Sequence, residues 1–573
     1  MQVKNYYQNF VNESYDDKGI LSEFSLREDL PENFNFAYDI IDKFGELEPN
    51  RPCLGWVNVN GDSKVITYGE MMRLSNQAAN EFTKAGLKKG DKVMLVLKRN
   101  YQFWYCIIAL HKIGAVAIPA THLLTVKDLV YRFEQAEVTG IIATALNPEV
   151  AEFINLADDE TGNKLMCKYI ANAGDKIPDS FIDFDKAILS QSETFARVDT
   201  HYNEMMLLYF TSGTTGYPKM VVHNYRYALA HILTAAHWQN ADPDGRHFTV
   251  ADTGWAKSAW GCLYGQMCVG TCVFVYDFDK FIPADVLKVI QDYKVTSFCA
   301  PPTMFRFFIK EGVGNYDISS LKYCCIAGEA LNPEVFNKWK EYTGLSLMEG
   351  FGQSESVVML ANLRGMTPKP GSMGKPTPLY AMDIVDDNGD SVPTGEVGEI
   401  IVRCKPGDDG IFLGYYKNDE LNAKAWTIEG EGYRGEAALP AGATPLYHTG
   451  DTAYADEDGY YWYVGRNDDL IKASGYRIGP FEIESVLLTH KAVLDCAVTG
   501  APDPIRGQVV KATVVLTNGF EPSDELIAQL QDHVKKTTAP YKYPRIVEFV
   551  PELPKTISGK IKRADIRKND CET

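Results

Sequence analysis

Apolar residues recur along the first half of the chain in two alternating rhythms. From Tyr68 to Ala85 they fall at helical spacing, whereas Lys92 to Leu97 (KVMLVL) is a short β-rich run after the turn signal Lys-Gly-Asp. Tyr101 to Ile113 returns to helix, and Ala115 to Pro119 (AVAIP) reads as the next strand. The same grammar recurs at Gly270 to Tyr276, Ser297 to Pro301 and Tyr323 to Ala327. Strands followed by helices, with Gly and Pro between them, predict an α/β protein with parallel sheets covered on both faces. In the last hundred residues the rhythm shortens to Ala492 to Thr499 (AVLDCAVT), Gln508 to Leu516 (QVVKATVVL) and a helix from Ser523 to Lys536. The polar, Gly-flanked stretch from Arg466 to Asp469 predicts a boundary, with a large N-terminal body over residues 1–466 and a small C-terminal α+β domain over 467–573.

Size agrees with that division, because 573 residues exceed what one hydrophobic core supports. With 57 basic and 76 acidic residues the formal charge is −19, which argues against a nucleic-acid or anionic-membrane partner. Net charge says little about a local pocket, so anionic nucleotides stay possible as substrates. The twelve cysteines include no C-x2-C pair. Cys268 and Cys272 come nearest to ligand spacing, with no His pair at zinc-finger spacing, so the thiols read as reduced and structural. No apolar h-region opens the chain. The most apolar stretch, Trp104 to Ala120, is broken by His111, Lys112 and Gly114 and is too short to span a bilayer. A cytoplasmic protein is expected.

The sharpest local signal is Tyr209 to Lys219, YFTSGTTGYPK. An apolar strand (MMLLYF) runs into a loop where Gly213 and Gly216 free the backbone to turn amides towards an anion. Thr211, Ser212, Thr214 and Thr215 add hydroxyls, and Lys219 adds a positive charge. The order is not the Walker pattern G-x4-G-K-[ST], and a cluster of Ser, Thr and Gly is by itself usually just a loop. Four further segments follow in the chain: EGFGQSE (Glu349 to Glu355), HTGD (His448 to Asp451), GRNDDLIKASGYRIGPFEIE (Gly465 to Glu484) and PKTISGK (Pro554 to Lys560).

Together the five segments resemble, in order and over nearly the whole chain, the motifs of the adenylate-forming superfamily, which includes acyl-CoA synthetases, firefly luciferase and peptide-synthetase adenylation domains. The resemblance implies an enzyme that joins a carboxylic acid to ATP as an acyl-adenylate and passes the acyl group to CoA. It implies that Thr211 to Gly216 and Lys219 hold phosphates, and that Glu349, Gly350, Phe351, Gly352, Gln353 and Ser354 stack on adenine and meet the acyl carboxylate. Ser354 stands where the family usually has Thr and keeps the hydroxyl. Glu355 is the expected Mg²⁺ ligand, since that ion takes one or two carboxylates along with phosphate oxygens. Asp451 is expected to hold the ribose hydroxyls from an exposed turn, with Arg466 on the same nucleotide. Lys560 is expected to stabilise charge on the transferring phosphoryl group. The small domain is expected to rotate about Asp468, withdrawing Lys560 and presenting Ser474, Gly475 and Tyr476 to the pantetheine arm. Arg477, Arg506, Lys535, Tyr543 and Arg545 are candidates for the phosphate-bearing end of CoA. Leu488 to Val493 aligns weakly with a peripheral cation loop.

No carrier domain follows Thr573 in the sequence, which favours free CoA over a tethered acceptor. GWAKSAWG (Gly254 to Gly261) with EGFGQSES resembles medium-chain acyl-CoA synthetases, acetyl-CoA synthetases being near relatives. Acetate enzymes carry Trp where this chain has Gly352, so the glycine is expected to leave room for a short- or medium-chain or branched acid. Trp260 competes for the same space. Lys257 is expected either to pair with the substrate carboxylate or to snorkel to solvent. An acetate or propionate ligase, and an adenylating enzyme with a non-CoA acceptor, stay open as alternatives.

Overall fold

Thr67 begins the first long helix, Tyr68–Lys84, with a capping box: its hydroxyl accepts from the Glu70 amide (3.2 Å) while the Glu70 carboxylate accepts from the Thr67 amide (2.9 Å). That helix packs on Gln102–Ile113, which is buried along its whole length. A helix apolar on nearly every face belongs in a core. Its one ammonium, Lys112, is fully buried and bonds Asp42 (2.6 Å) and the Asn76 side chain (2.5 Å). The computed structural model describes residues 3–211, 217–328, 331–428, 431–432, 444–473, 476–503, 506–555 and 561–572, with backbone alone at 431–432, 476–477 and 569–572.

Two large parallel-rich sheets dominate. The first contains β1 (Lys92–Val96), β2 (Val116–Pro119), β3 (Met205–Thr211) and β4 (Lys219–Asn224). β1 and β2 are parallel, β2 continues parallel to β3, and β3 turns back antiparallel into β4 with Thr211 opposite Lys219. The second contains β5 (Arg246–Thr249), β6 (Cys272–Asp277), β7 (Ser297–Ala300), β8 (Tyr323–Ile326) and β9 (Leu347–Phe351), all parallel to their neighbours in the order β9-β8-β7-β5-β6. The two sheets meet closely past their C-terminal ends. A Cβ at Gly254, past β5, would fall 2.3 Å from the Thr121 amide past β2. Open α/β sheets bind ligands outside such strand ends.

A third sheet holds β10 (Pro445–Ala455) and β11 (Tyr461–Arg466). After the turn at 467–470 the chain enters a fourth sheet with β12 (Ile471–Ala473), β13 (Val493–Asp503) and β14 (Gly507–Leu516), covered by helices Pro480–Leu487 and Asp524–Thr537 around its own core. β13 runs four residues beyond the expected Thr499, because the ladder with β14 continues through Gly500 and Pro502 to Asp503. Helix Pro480–Leu487 lies against β11, where a Cβ at Gly479 would meet the Val464 carbonyl at 2.2 Å. Eleven cysteines, Cys268 and Cys272 among them, are free and buried. Among the described residues no helix is long and apolar enough to cross a membrane.

Candidate active site

β3 delivers Thr211 to the head of the phosphate-type loop; Ser212, Gly213, Thr214, Thr215 and Gly216 lie outside the described residues. Across the hairpin, the Lys219 ammonium sits 5.0 Å over the Tyr415 ring. Burial lowers its pKa, with Arg466 pushing the same way and Glu355 and Asp468 pulling against them. Four charged groups from three separate segments therefore act on one another here.

Past β9 the chain turns sharply through Gln353, Ser354 and Glu355. Glu355 Oε1 accepts from the Tyr415 hydroxyl (2.8 Å), and its carbonyl accepts from the Phe412 amide (2.9 Å). The Ser354 carbonyl accepts from His223 Nε2 (2.7 Å), whose pKa burial pushes down to about 3, so the ring is a neutral donor with a defined tautomer. The Gln353 amide donates to the Thr449 carbonyl (2.8 Å) and to Asp451 Oδ2 (2.5 Å), and accepts from the Tyr447 hydroxyl (2.6 Å). One glutamine thus clamps the EGFGQSE turn to the HTGD strand.

Asp451 does not stand in an exposed turn. It lies within β10, is 5% exposed, and takes hydrogen bonds from Gln353 and the Tyr463 hydroxyl (3.2 Å) with Arg466 at 3.5 Å. The turn-like signal came from Gly450, whose φ of +69° is readily available only to glycine, and where a Cβ would fall 2.9 Å from the Arg466 guanidinium. Burial works against the Arg466 charge, yet Asp451 and Asp468 hold its pKa above the ordinary value. Asp468 is half-exposed in the turn between β11 and β12, 3.7 Å from Arg466. Its neighbour Asp469 pairs with Arg567 (2.6 Å) and Arg563 (3.7 Å) of the last helix. Lys560 lies outside the described residues.

Gly352 does not leave room. A Cβ there would fall 2.3 Å from the Trp260 ring and 2.8 Å from the Val357 carbonyl, so the volume an indole occupies in acetate enzymes is filled here from another segment. Gly350 is likewise closed by Trp238, at 2.4 Å, and the two indoles meet edge to face at 6.0 Å. Beside them Glu349 is fully buried, and burial raises its pKa to about 8; its Oε2 has no hydrogen-bond partner among the described residues. The half-buried Phe351 ring faces Tyr463 at 6.4 Å. Lys257 does not snorkel: partly buried, it donates to the Ala327 carbonyl at the end of β8 (3.0 Å).

The CoA candidates divide. Ser474 and Gly475 lie outside the described residues, while Tyr476 and Arg477 place their backbone opposite Ala473 and Lys472 of β12. Arg506, Tyr543 and Arg545 line one cavity with Ala473 and Tyr541. Lys535 lies 4.0 Å over the Tyr543 ring, and Arg545 donates to its hydroxyl (2.9 Å). Sequence reasoning missed Tyr415, Tyr447, Tyr463 and His223, the side chains that orient the acidic and amide groups. Only Tyr447, directly before HTGD, carried a positional hint.

Comparison with known proteins agrees with this geometry. The AMP-binding enzyme family model matches residues 41–416, and the AMP-binding enzyme C-terminal domain matches 482–560. The chain is 39% identical to acyl-coenzyme A synthetase ACSM3, mitochondrial, of Pongo abelii, over 99% of this chain and 94% of that protein. It is 40% identical to acyl-coenzyme A synthetase ACSM4, mitochondrial, of Homo sapiens, over 94% and 91%. Among solved structures, the anthranilate CoA ligase AuaEII with anthranoyl-AMP superimposes with a TM-score of 0.82 at 29% identity, covering 95% of this chain and 98% of that one. The chain belongs to the AMP-binding enzyme family, as an acyl-CoA synthetase.

Proposed function

We propose that the enzyme activates a short- to medium-chain or branched carboxylic acid as an acyl-adenylate and transfers the acyl group to CoA, with residues 1–466 forming the adenylating body and 467–573 a domain that turns about Asp468. The observation that carries this reading is the convergence of Lys219, Glu355, Asp451 and Arg466 from four separate segments around the turn that follows β9. Asp451 takes the ribose diol and Arg466 neutralises charge beside it. Thr211, the loop that follows it and Lys219 hold the phosphates, and Ser354 orients the acyl carboxylate for attack on the α-phosphate. Lys560 stabilises the charge that develops there. Glu355 offers hard carboxylate oxygen, the donor Mg²⁺ prefers, and would hold the ion that accompanies ATP and offsets its phosphate charge. Arg506, Lys535, Tyr543 and Arg545 then receive the nucleotide end of CoA. Free buried thiols suit a reducing compartment, and we place the protein in the cytoplasm. The relatives named above are called mitochondrial in their own names.

Trp260 rather than Gly352 ends the acyl pocket in this reading, and its position favours a second reading, acetate or propionate. Pyrophosphate release measured across acids from acetate to octanoate, branched and aromatic acids included, with and without CoA, decides between them. The expected profile has kcat/KM rising by roughly fourfold per methylene from acetate and falling once the tail meets Trp260. A strong preference for acetate over butyrate selects the second reading. Acyl-adenylate that accumulates without ever becoming thioester rejects CoA as the acceptor.

A further inference from the structure

The crest where the two large sheets meet carries a titratable cluster that the roles above leave unused. His122 lies three residues past β2, and Asp252 three residues past β5. β2 is the immediate neighbour of β3, the strand that ends at Thr211, and neighbouring strands lie about 4.8 Å apart. His122 Nδ1 is buried, has no hydrogen-bond partner among the described residues, and sits 3.8 Å from Asp252 Oδ2. From Asp252 the loop runs on to Lys257, whose ammonium reaches Ala327 at the end of β8, beside the strand leading to Gln353, Ser354 and Glu355. His122 and Asp252 therefore stand at one foot of an arch over the strand ends, where a ligand between the two sheets would lie.

We propose that His122, oriented by Asp252, is the general base that takes the proton from the CoA thiol as its sulfur attacks the acyl-adenylate. The inference rests on the two-step reading above. Nδ1–H turned towards Asp252 leaves Nε2 to accept the thiol proton. The sulfur–carbon bond forms, the carbon–oxygen bond to phosphate breaks, and AMP departs with that oxygen and the electron pair. The imidazolium returns its proton to water. A distance of 3.8 Å is long for a hydrogen bond, but contacts between a base and its orienting group tighten in the substrate complex. The need for a base is general, since an unperturbed thiol has a pKa of about 8.5 and is only a few per cent thiolate at neutral pH.

The surroundings keep the ring in the form a base requires. Burial lowers the His122 pKa, and Lys98 and Arg99, past β1, push the same way. Asp252 and Asp279, the latter past β6, oppose them. Arg99 also stands 3.5 Å from Asp252, and Lys98 bonds Asp279 (2.5 Å), so each cation is partly neutralised by a carboxylate of the same cluster.

The test separates the half-reactions in His122→Gln and His122→Ala. Adenylation is followed by pyrophosphate release without CoA, and thioester formation in single turnovers from supplied acyl-adenylate and CoA. Adenylation should stay within about twofold of wild type, while thioester formation at pH 7 should fall about a hundredfold and recover as pH approaches that of thiol ionisation. Intact adenylation certifies the fold of the variant. Asp252→Asn should lose less in the same step, with a shifted pH profile. An unchanged second step, an equal fall in both steps, or a loss that pH does not relieve overturns the role of His122. A wild-type enzyme that forms no thioester from adenylate and CoA overturns the two-step reading and this proposal with it.

Discussion

Asp451 and Arg545 are both proposed to meet a nucleotide, one ATP and one CoA, and the protein holds them in opposite ways. Asp451 is nearly buried, and its oxygens are already engaged by Gln353, Tyr463 and Arg466 before any ligand arrives. Arg545 is exposed on the small fourth-sheet unit, tied to a tyrosine that Lys535 also covers. The first arrangement settles its ordering during folding, so binding loses little side-chain freedom. The second keeps cations in water, where their attraction to phosphates is adjustable and screened by salt. A site that must recognise one nucleotide in one geometry suits the former, and a surface that meets its ligand in only one step of a cycle suits the latter.

The largest effect is expected at Lys560. Lys560→Ala should cut adenylate formation by about a hundredfold or more, equivalent to about 3 kcal/mol, while thioester formation from supplied adenylate stays near wild type. Pyrophosphate release and single-turnover thioester assays read the two steps, and equal loss in both would remove the case for two domain orientations. Asp451→Ala should lower kcat/KM for ATP by roughly thirtyfold, because it removes the proposed ribose contact and also the acceptor for one Gln353 N–H and for the Tyr463 hydroxyl. Initial rates at varied ATP test this, and CoA parameters should hardly move.

Glu349 sharpens the contrast from the stability side. Burial raises its carboxyl pKa to about 8, from an ordinary 4.5, so the folded protein holds a proton that the unfolded chain releases earlier. The contribution is fully present below pH 4.5 and is lost as pH rises through 8. Glu349→Gln, neutral at every pH, should therefore be more stable than wild type at pH 9, by several kcal/mol and at most about 5, and should flatten Tm across that window. Parallel Tm–pH curves for the two proteins would contradict the buried carboxyl. The smallest effect belongs to the exposed patch: Arg545→Ala should raise KM for CoA about threefold at low salt, with the difference fading near 0.5 M salt. A salt-independent loss would mean that Arg545 is built into its site as Asp451 is.

Much of the architecture was legible in the chain. The helical spacing of Tyr68 to Ala85 and the apolar runs of β1, β2 and β7 name elements that fold within a few residues of expectation, since local burial pattern and turn chemistry decide them. The order of Thr211, Glu349 to Glu355, His448 to Asp451 and Gly465 was also readable, and it led to the adenylating family. Less legible was the environment of each residue. Gly-Asp in HTGD looks like an exposed turn, because Asp beside Gly ordinarily is one, yet the long strand β10 carries the pair into the interior.

The class of chemistry was set locally, because strand-to-loop transitions and the positions of glycine, lysine and carboxylate are facts of the chain alone. Tertiary structure decided whether Gly352 leaves room beside it. Trp260 closes on Gly352 across 92 positions of sequence, and Lys257 bonds the Ala327 carbonyl just past β8. The reason is steric: an absent side chain leaves space only if no distant element fills it, and close-packed interiors bring such elements in.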